Sequence, residues 1–312
     1  MTAWEGFSEP ATDPAAAPPK APNRLASGAG PDMPFTLRRG EGTAAPFVFA
    51  SPHSGREYPA ELMDAALLDG VAIRRSEDAF VDELIDAAPS NGVCLISARF
   101  ARAYIDVNRE AYELDQAMFE DELPAFARAR TARIAAGLGT IARVVGEGQE
   151  IYRRKLTFAE ARGRIEAVHR PYHQALSTLL EETRAVHGRA ALIDWHSMPS
   201  AASGEPAYGR KGCDIVLGDR FGSACAPGLT RLVERELEGM GYRVARNAPY
   251  AGGYTTEFYG RPDEGFHALQ IEINRGVYLD EAALQPAAGF ARLKHDLERL
   301  CAALARDWRK AL

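Results

Sequence analysis

The chain has 312 residues, 46% of them hydrophobic, and a formal charge of −6. That is enough apolar material for a full core, in one large domain or two small ones. The acidic balance argues against nucleic acid as a partner, because phosphate binding needs a basic face, and no apolar run approaches the roughly 18 residues of a membrane span.

Residues 1–33 hold Pro10, Pro14, Pro18, Pro19, Pro22 and Pro31 with little apolar periodicity, which predicts a disordered tail. Residues 34–312 then form one domain. Pro46–Ala50 reads as a buried strand, Ala79–Ala88 as a helix, Val93–Ser97 as a strand and Ala103–Val107 as another. Residues 120–186 look mainly helical. The clearest helix runs from Leu156 to Val186, with Pro171 expected to kink it. Leu192–Trp195 and Asp214–Leu217 read as strands, Leu229–Met240 as a helix, and Val244 as the start of an extended piece. Leu269–Ile273 is the last clear strand, and Leu284–Leu312 an amphipathic helix with Leu293, Leu297, Leu300 and Leu304 on one face. Alternating strands and helices predict an α/β fold, a mixed and mostly parallel sheet with helices on both faces. Cys94, Cys213, Cys225 and Cys301 are widely spaced, with no C-x-x-C, and read as reduced thiols. With no secretory segment in view, a cytoplasmic protein is expected.

Three apolar runs end in chemistry-bearing side chains: the first in His53, the second in Asp194 and His196, the third in Glu272. Ligands of open α/β sheets collect at the carboxyl ends of strands. Two histidines and a glutamate delivered there are the parts of a catalytic zinc site, as metal ligands and as a base. Each residue also has a plainer reading. His53 can be a loop histidine bonded to backbone. Asp194 and His196, two apart on a strand, share a face and can be a buried pair holding a loop. Glu272, flanked by Ile271 and Ile273, needs a partner, which Arg275 can supply.

Other segments extend the pattern. Ser76–Glu83 is an acidic cluster at a predicted helix start. Ser76 or Asp78 can cap that helix, or Asp78 can be the carboxylate that completes a two-histidine zinc shell. Asn108 and Arg109 suit a free carboxylate held in a bidentate geometry, with Arg102 close by. His169 and His173 lie one helical turn apart, but Arg170 and Pro171 break the zincin pattern, so they read as structural. Gly252–Thr256 is expected to be a flexible loop able to close over a substrate.

Taken together, Ser51–Gly55, Asp78 with Asp82, Arg102 through Arg109, Asp194–Pro199, Gly252–Thr255 and Gln270–Arg275 resemble, in order, the motifs of the N-formylglutamate amidohydrolase family, over about residues 45 to 290. The resemblance implies a zinc-carboxypeptidase-like fold and hydrolysis of N-formyl-L-glutamate to L-glutamate and formate, a step of histidine degradation. It also implies Gly253, Tyr254 and Thr255 near the substrate. In zinc carboxypeptidases a glutamate ligand follows the first histidine by three positions. Here Arg56 stands there and Glu57 follows, so Asp78 is the favoured carboxylate and Glu57 and Glu77 compete with it.

The expectation is therefore a zinc amidohydrolase. His53, Asp78 and His196 are its ligands, Glu272 its base, and Arg109, Asn108 and Arg102 hold a carboxylate of a small N-acyl amino acid. Two rivals stand beside it: a zinc amidohydrolase acting on another N-acyl amino acid or short peptide, and a small-ligand-binding protein without catalysis. No nucleic-acid or membrane partner is expected. The sequence leaves the oligomeric state open.

Overall fold

The apolar runs of the sequence become the middle of one seven-stranded sheet. The computed structural model describes residues 33–42, 44–203 and 212–312, so the predicted tail, Met33 apart, lies outside the described residues. The strands are β1 (Phe35–Arg38), β2 (Phe47–Ser51), β3 (Cys94–Ala98), β4 (Ala190–Met198), β5 (Ile215–Gly218), β6 (Val244–Arg246) and β7 (Phe266–Asn274), in the spatial order β1-β3-β2-β4-β7-β5-β6. β3, β2, β4 and β7 run parallel; β1 pairs antiparallel with β3, and β5 with β7. The sheet is thus mixed and mostly parallel, as predicted. All nine residues of β4 and all nine of β7 are buried, as expected of central strands covered on both faces.

Each face has its own core. Phe47, Phe49, Ile193, Trp195, Leu269 and Ile271 pack against α3 (Pro227–Gly239) and α5 (Phe290–Ala311). Leu293, Leu297, Leu300 and Leu304 of α5 are all buried there. On the other face Val48, Ala50, Leu192 and Ala268 pack under α1 (Phe158–Arg164) and α2 (Arg170–His187). A capping box between Thr157 and Glu160 opens α1. The kink expected at Pro171 takes the form of a π turn at Ile165–His169 between α1 and α2. This wider turn accommodates the missing proline N–H.

Several elements differ from the periodicity reading. Ala103–Val107 is no strand but a buried series of turns, its backbone tied to Ala101 and Thr140. Its short apolar run reflects burial, which a periodicity cannot tell from pairing. Residues 120–156 are mostly irregular, broken by glycines such as Gly137 and Gly148 in left-handed conformations, with one short helix at Ala132–Ala135. The helix expected at Ala79–Ala88 shrinks to Val81–Leu84. Phe80 before it is left-handed, and neither Ser76 nor Asp78 caps it. Leu284 precedes α5 and is itself left-handed. β1, with its alternating burial, was not anticipated. Gly252–Thr256 is expected as a loop, but its last three residues open a short helix, α4 (Tyr254–Tyr259). Among the described residues no helix is long and apolar enough to cross a membrane, and the four cysteines are free.

Candidate metal centre and active site

Strand alternation builds the site. Along β4, Leu192, Asp194 and His196 share one face; along β7, Ala268, Gln270 and Glu272 do the same. In register, Asp194 lies opposite Gln270 and His196 opposite Glu272. This face changes from apolar to polar towards the carboxyl ends of the strands, with the polar residues still buried. β2 ends alongside, and the following turn delivers His53. That turn needs Gly55, because a Cβ there would lie 2.1 Å from the Phe100 carbonyl oxygen. Asp78 arrives from a short non-helical link between a 3₁₀ helix at Ala72–Ser76 and Phe80, its N–H bonded to the His53 carbonyl. The helix is over-predicted for this reason: the chain is extended at Glu77 and becomes helical only after the left-handed Phe80, which leaves the Asp78 carboxylate at the histidines.

His53, Asp78 and His196 are buried and form a group that could hold a metal ion. His196 Nδ1 lies 3.1 Å from His53 Nδ1 and 3.1 Å from Asp78 Oδ2, and His53 Nδ1 lies 3.3 Å from the same oxygen. Each imidazole turns its other nitrogen to a carboxylate, His53 Nε2 to Asp106 at 2.7 Å and His196 Nε2 to Asp194 at 2.9 Å. With those carboxylates taking the Nε2 protons, both Nδ1 lone pairs face each other and Asp78 Oδ2. The cluster then calls for a positive charge at its centre, which is met by a proton shared with Asp78 or by a metal ion in its place.

A supporting layer holds this arrangement. Asp106 also accepts from Arg102 at 2.7 Å and from the Asn108 backbone at 2.8 Å. Asn108 Nδ2 lies 3.1 Å from His196 Nε2 and 3.4 Å from Asp194, and its Oδ1 accepts from the backbone and hydroxyl of Thr255 at 2.8 and 2.7 Å. His169 Nε2 and His173 Nε2 donate to the carbonyls of Arg109 and Val107 at 2.8 and 2.7 Å, bracing the 106–109 loop from behind. Burial pushes His169 down to about 4 and His173 well below its ordinary value, so both are neutral.

Burial opposes charge on Asp78, but hydrogen bonds and charge from His196 and His53 hold its carboxyl well below the usual range. Burial likewise opposes charge on His196, yet Asp194 and Asp78 lift it well above its ordinary value. The cluster attracts positive charge. Glu272 behaves oppositely: burial raises it to about 7 against the pull of His196, and the charge of Asp78 adds to the rise. Gln270 Nε2 donates to Glu272 Oε1 at 2.7 Å, while Gln270 Oε1 accepts from the Gly253 backbone at 2.7 Å. Glu272 therefore does not pair with Arg275, which bonds Asp78 instead. A carboxyl group poised near neutrality can both take and return a proton.

The competing carboxylates point elsewhere. Glu77 is buried against Arg74 and Tyr58, and Glu57 pairs with Arg99. Arg56 faces Asp82 and Glu83. The residues expected at a substrate are also redistributed. Arg109 donates to the carbonyls of Leu138 and Asn108 and is nearly buried. Asn108 and Thr255 bond each other. Tyr254 is buried against His173 and Phe258. Gly253 permits close packing, since a Cβ would lie 2.7 Å from Asn108 Nδ2. Arg102 differs: its side chain is 20% exposed, and its charge reaches Asp78 and Glu272. Tyr250 was not singled out in the sequence, although a phenol between Pro249 and the glycine pair was a usable signal. It is partly exposed, and burial together with the charge of Glu272 raises its pKa.

The profile of the N-formylglutamate amidohydrolase family matches residues 45–279. An N-formylglutamate deformylase of Pseudomonas aeruginosa is 29% identical over 256 residues, 81% of this chain and 88% of that protein. One from Pseudomonas putida is 30% identical over 239 residues, 76% of this chain and 82% of that protein. The crystal structure of an N-formylglutamate amidohydrolase from Ralstonia eutropha is 41% identical, with a TM-score of 0.84 over 90% of this chain and 100% of that one.

Proposed function

The chain belongs to the N-formylglutamate amidohydrolase family and is a hydrolase of amides; from that premise we propose that it hydrolyses N-formyl-L-glutamate to L-glutamate and formate, a step of histidine degradation, with zinc held by His53, Asp78 and His196. The observation that carries this reading is the meeting of His53 Nδ1, His196 Nδ1 and Asp78 Oδ2, all buried and within hydrogen-bond distance of one another. Their separations of 3.1, 3.1 and 3.3 Å fit the edges of a tetrahedron, about 3.3 Å for zinc–ligand bonds of about 2.0–2.1 Å. Two imidazoles and a carboxylate are also a donor set that zinc favours.

Zinc supplies Lewis acidity, which acidifies a water and polarises a carbonyl. The chain does the rest. Asp106 and Asp194 hold the imidazoles in the tautomer that points a lone pair at the ion. Gln270 fixes the rotation of Glu272. Glu272 takes a proton from the attacking water and hands it to the leaving amine of glutamate. Arg102, with one guanidinium nitrogen on Asp106, is the cation placed to hold a substrate carboxylate. Arg109 and Asn108 support it by fixing the Asp106 loop.

The test is formate release from N-formyl-L-glutamate by the purified protein, before chelation, after it, and after zinc is returned. Zinc-dependent release supports the reading. Acetate release from N-acetyl-L-glutamate, with no formate from the formyl compound, would move the substrate to other N-acyl amino acids. Undiminished release after complete removal of metal would sink the zinc assignment.

A further inference from the structure

The two oxygens of Asp78 have separate surroundings. Oδ2 faces the Nδ1 atoms of both histidines. Oδ1 accepts from Arg275 Nη2 at 3.1 Å and from Ser197 Oγ at 3.1 Å. Arg275 is itself immobilised: Nε donates to Ser197 Oγ at 3.0 Å, Nη1 to the Arg75 carbonyl at 3.2 Å, and its side chain is 8% exposed. Turning Asp78 to bring Oδ1 towards the histidines would break a charge-assisted bond and a hydroxyl bond. It would also leave a buried guanidinium without its carboxylate, a costly state.

We propose that Arg275 is a positioning residue that restricts Asp78 to a single ligating oxygen. The inference rests on the reading of His53, Asp78 and His196 as metal ligands. Two imidazoles and one carboxylate oxygen would leave a tetrahedral ion one open position for water or the amide carbonyl. A carboxylate bound through both oxygens would crowd that position. The arginine charge also offsets that of Asp78, so the ion keeps more of its own charge towards a substrate bearing carboxylates. Ser197, two residues beyond Trp195 on the strand, extends the hold by bonding both partners at once.

The experiment loads wild-type protein, Arg275→Met, Arg275→Lys and Ser197→Ala with one cobalt(II) ion per chain and reads the visible absorption, which is several-fold stronger for four-coordinate cobalt than for higher coordination. The wild type is expected to show the strong spectrum. In Arg275→Met the band should fall several-fold as Oδ1 becomes free to bind. Arg275→Lys should restore part of it, and Ser197→Ala, which keeps the guanidinium, should show a smaller fall. An unchanged strong band in Arg275→Met overturns the proposal. Should that variant fail to fold, unchanged bands in both Arg275→Lys and Ser197→Ala overturn it equally. A wild type that takes up no cobalt sinks the ligand reading itself, and the role of Arg275 with it.

Discussion

The two faces of the central sheet are made from the same strands and differ in one respect. On the face under α3 and α5, Phe47, Phe49, Ile193, Trp195, Leu269 and Ile271 form an apolar layer that gives way to Ser51 and Ser197 only at the carboxyl ends of β2 and β4. On the other, Leu192 and Ala268 give way to Asp194, His196, Gln270 and Glu272 within one strand repeat. Every one of those polar residues is buried. The first face stabilises by apolar burial and close packing. The second sets charges in a medium where each needs a partner, and the partners it finds are one another. Asp194 Oδ1 has no hydrogen-bond partner among the described residues, so this half-face is costly to maintain. A fold that separates the two tasks can be disrupted in one without losing the other, and the predictions below probe that separation.

Glu272→Gln should show the largest effect on the polar side. It removes the proposed proton carrier but keeps size and the bond from Gln270. A general base contributes about 10²–10⁴-fold, so kcat should fall by that range with zinc content and melting temperature unchanged. Normal turnover with zinc bound would mean that Glu272 is not the base. On the apolar side the signs invert. Leu300→Ala, in the core beneath α5, should cost about 2–5 kcal/mol of stability, measured by urea unfolding, while kcat per bound zinc stays at the wild-type value. A loss of kcat in folded Leu300→Ala would show that the two faces are coupled.

A third prediction uses the histidines that brace the site. Burial lowers His169 to about 4 from 6.5. Above pH 6.5 it is neutral folded or unfolded, and its contribution is complete. As pH falls from about 6.5 towards about 4, the unfolded chain binds a proton that the folded one refuses, so stability declines, on the order of 3 kcal/mol across the window. His173, also held down by burial, adds in the same direction. Urea midpoints measured from pH 7.5 to 5 should drop more steeply for wild type than for His169→Gln; equal slopes would remove His169 from the account.

The strands that end in His53, His196 and Glu272 were legible in the sequence because central parallel strands are continuous apolar runs, and a polar residue ending one stands out. The Asp194–His196 pairing followed from strand alternation. Asp78 was harder to place. Its acidic neighbours gave a sound reason to read a helix cap, and only the non-helical link at Glu77–Phe80 takes it to the histidines. Arg109, Asn108 and Thr255 carried the right chemistry to touch a ligand, but sequence cannot tell a guanidinium that meets backbone carbonyls from one that meets substrate. That distinction depends on the loops at Leu138 and Gly253, whose turns have no period to read.

The smallest expected effect lies at Asp194, where the comparison is sharpest: one carboxylate set between apolar Ile193 and Trp195, touching no substrate. Its Oδ2 sits 2.9 Å from His196 Nε2, positioned to accept a proton from that nitrogen. Asp194→Asn retains shape and, through its amide oxygen, one acceptor. It removes the charge, and an amide turned the other way would instead donate to Nε2. Donation would move the proton to Nδ1, where it points at Asp78 and His53 and must be lost before an ion binds. Outer partners of this kind are worth about 10–100-fold in metal affinity. Chelator competition should therefore show zinc bound about 10–100-fold more weakly by Asp194→Asn than by wild type, with the melting temperature of the zinc-free protein little changed. Equal affinity would mean that His196 keeps its tautomer without Asp194, and that the polar half-face is held by packing as the apolar face is.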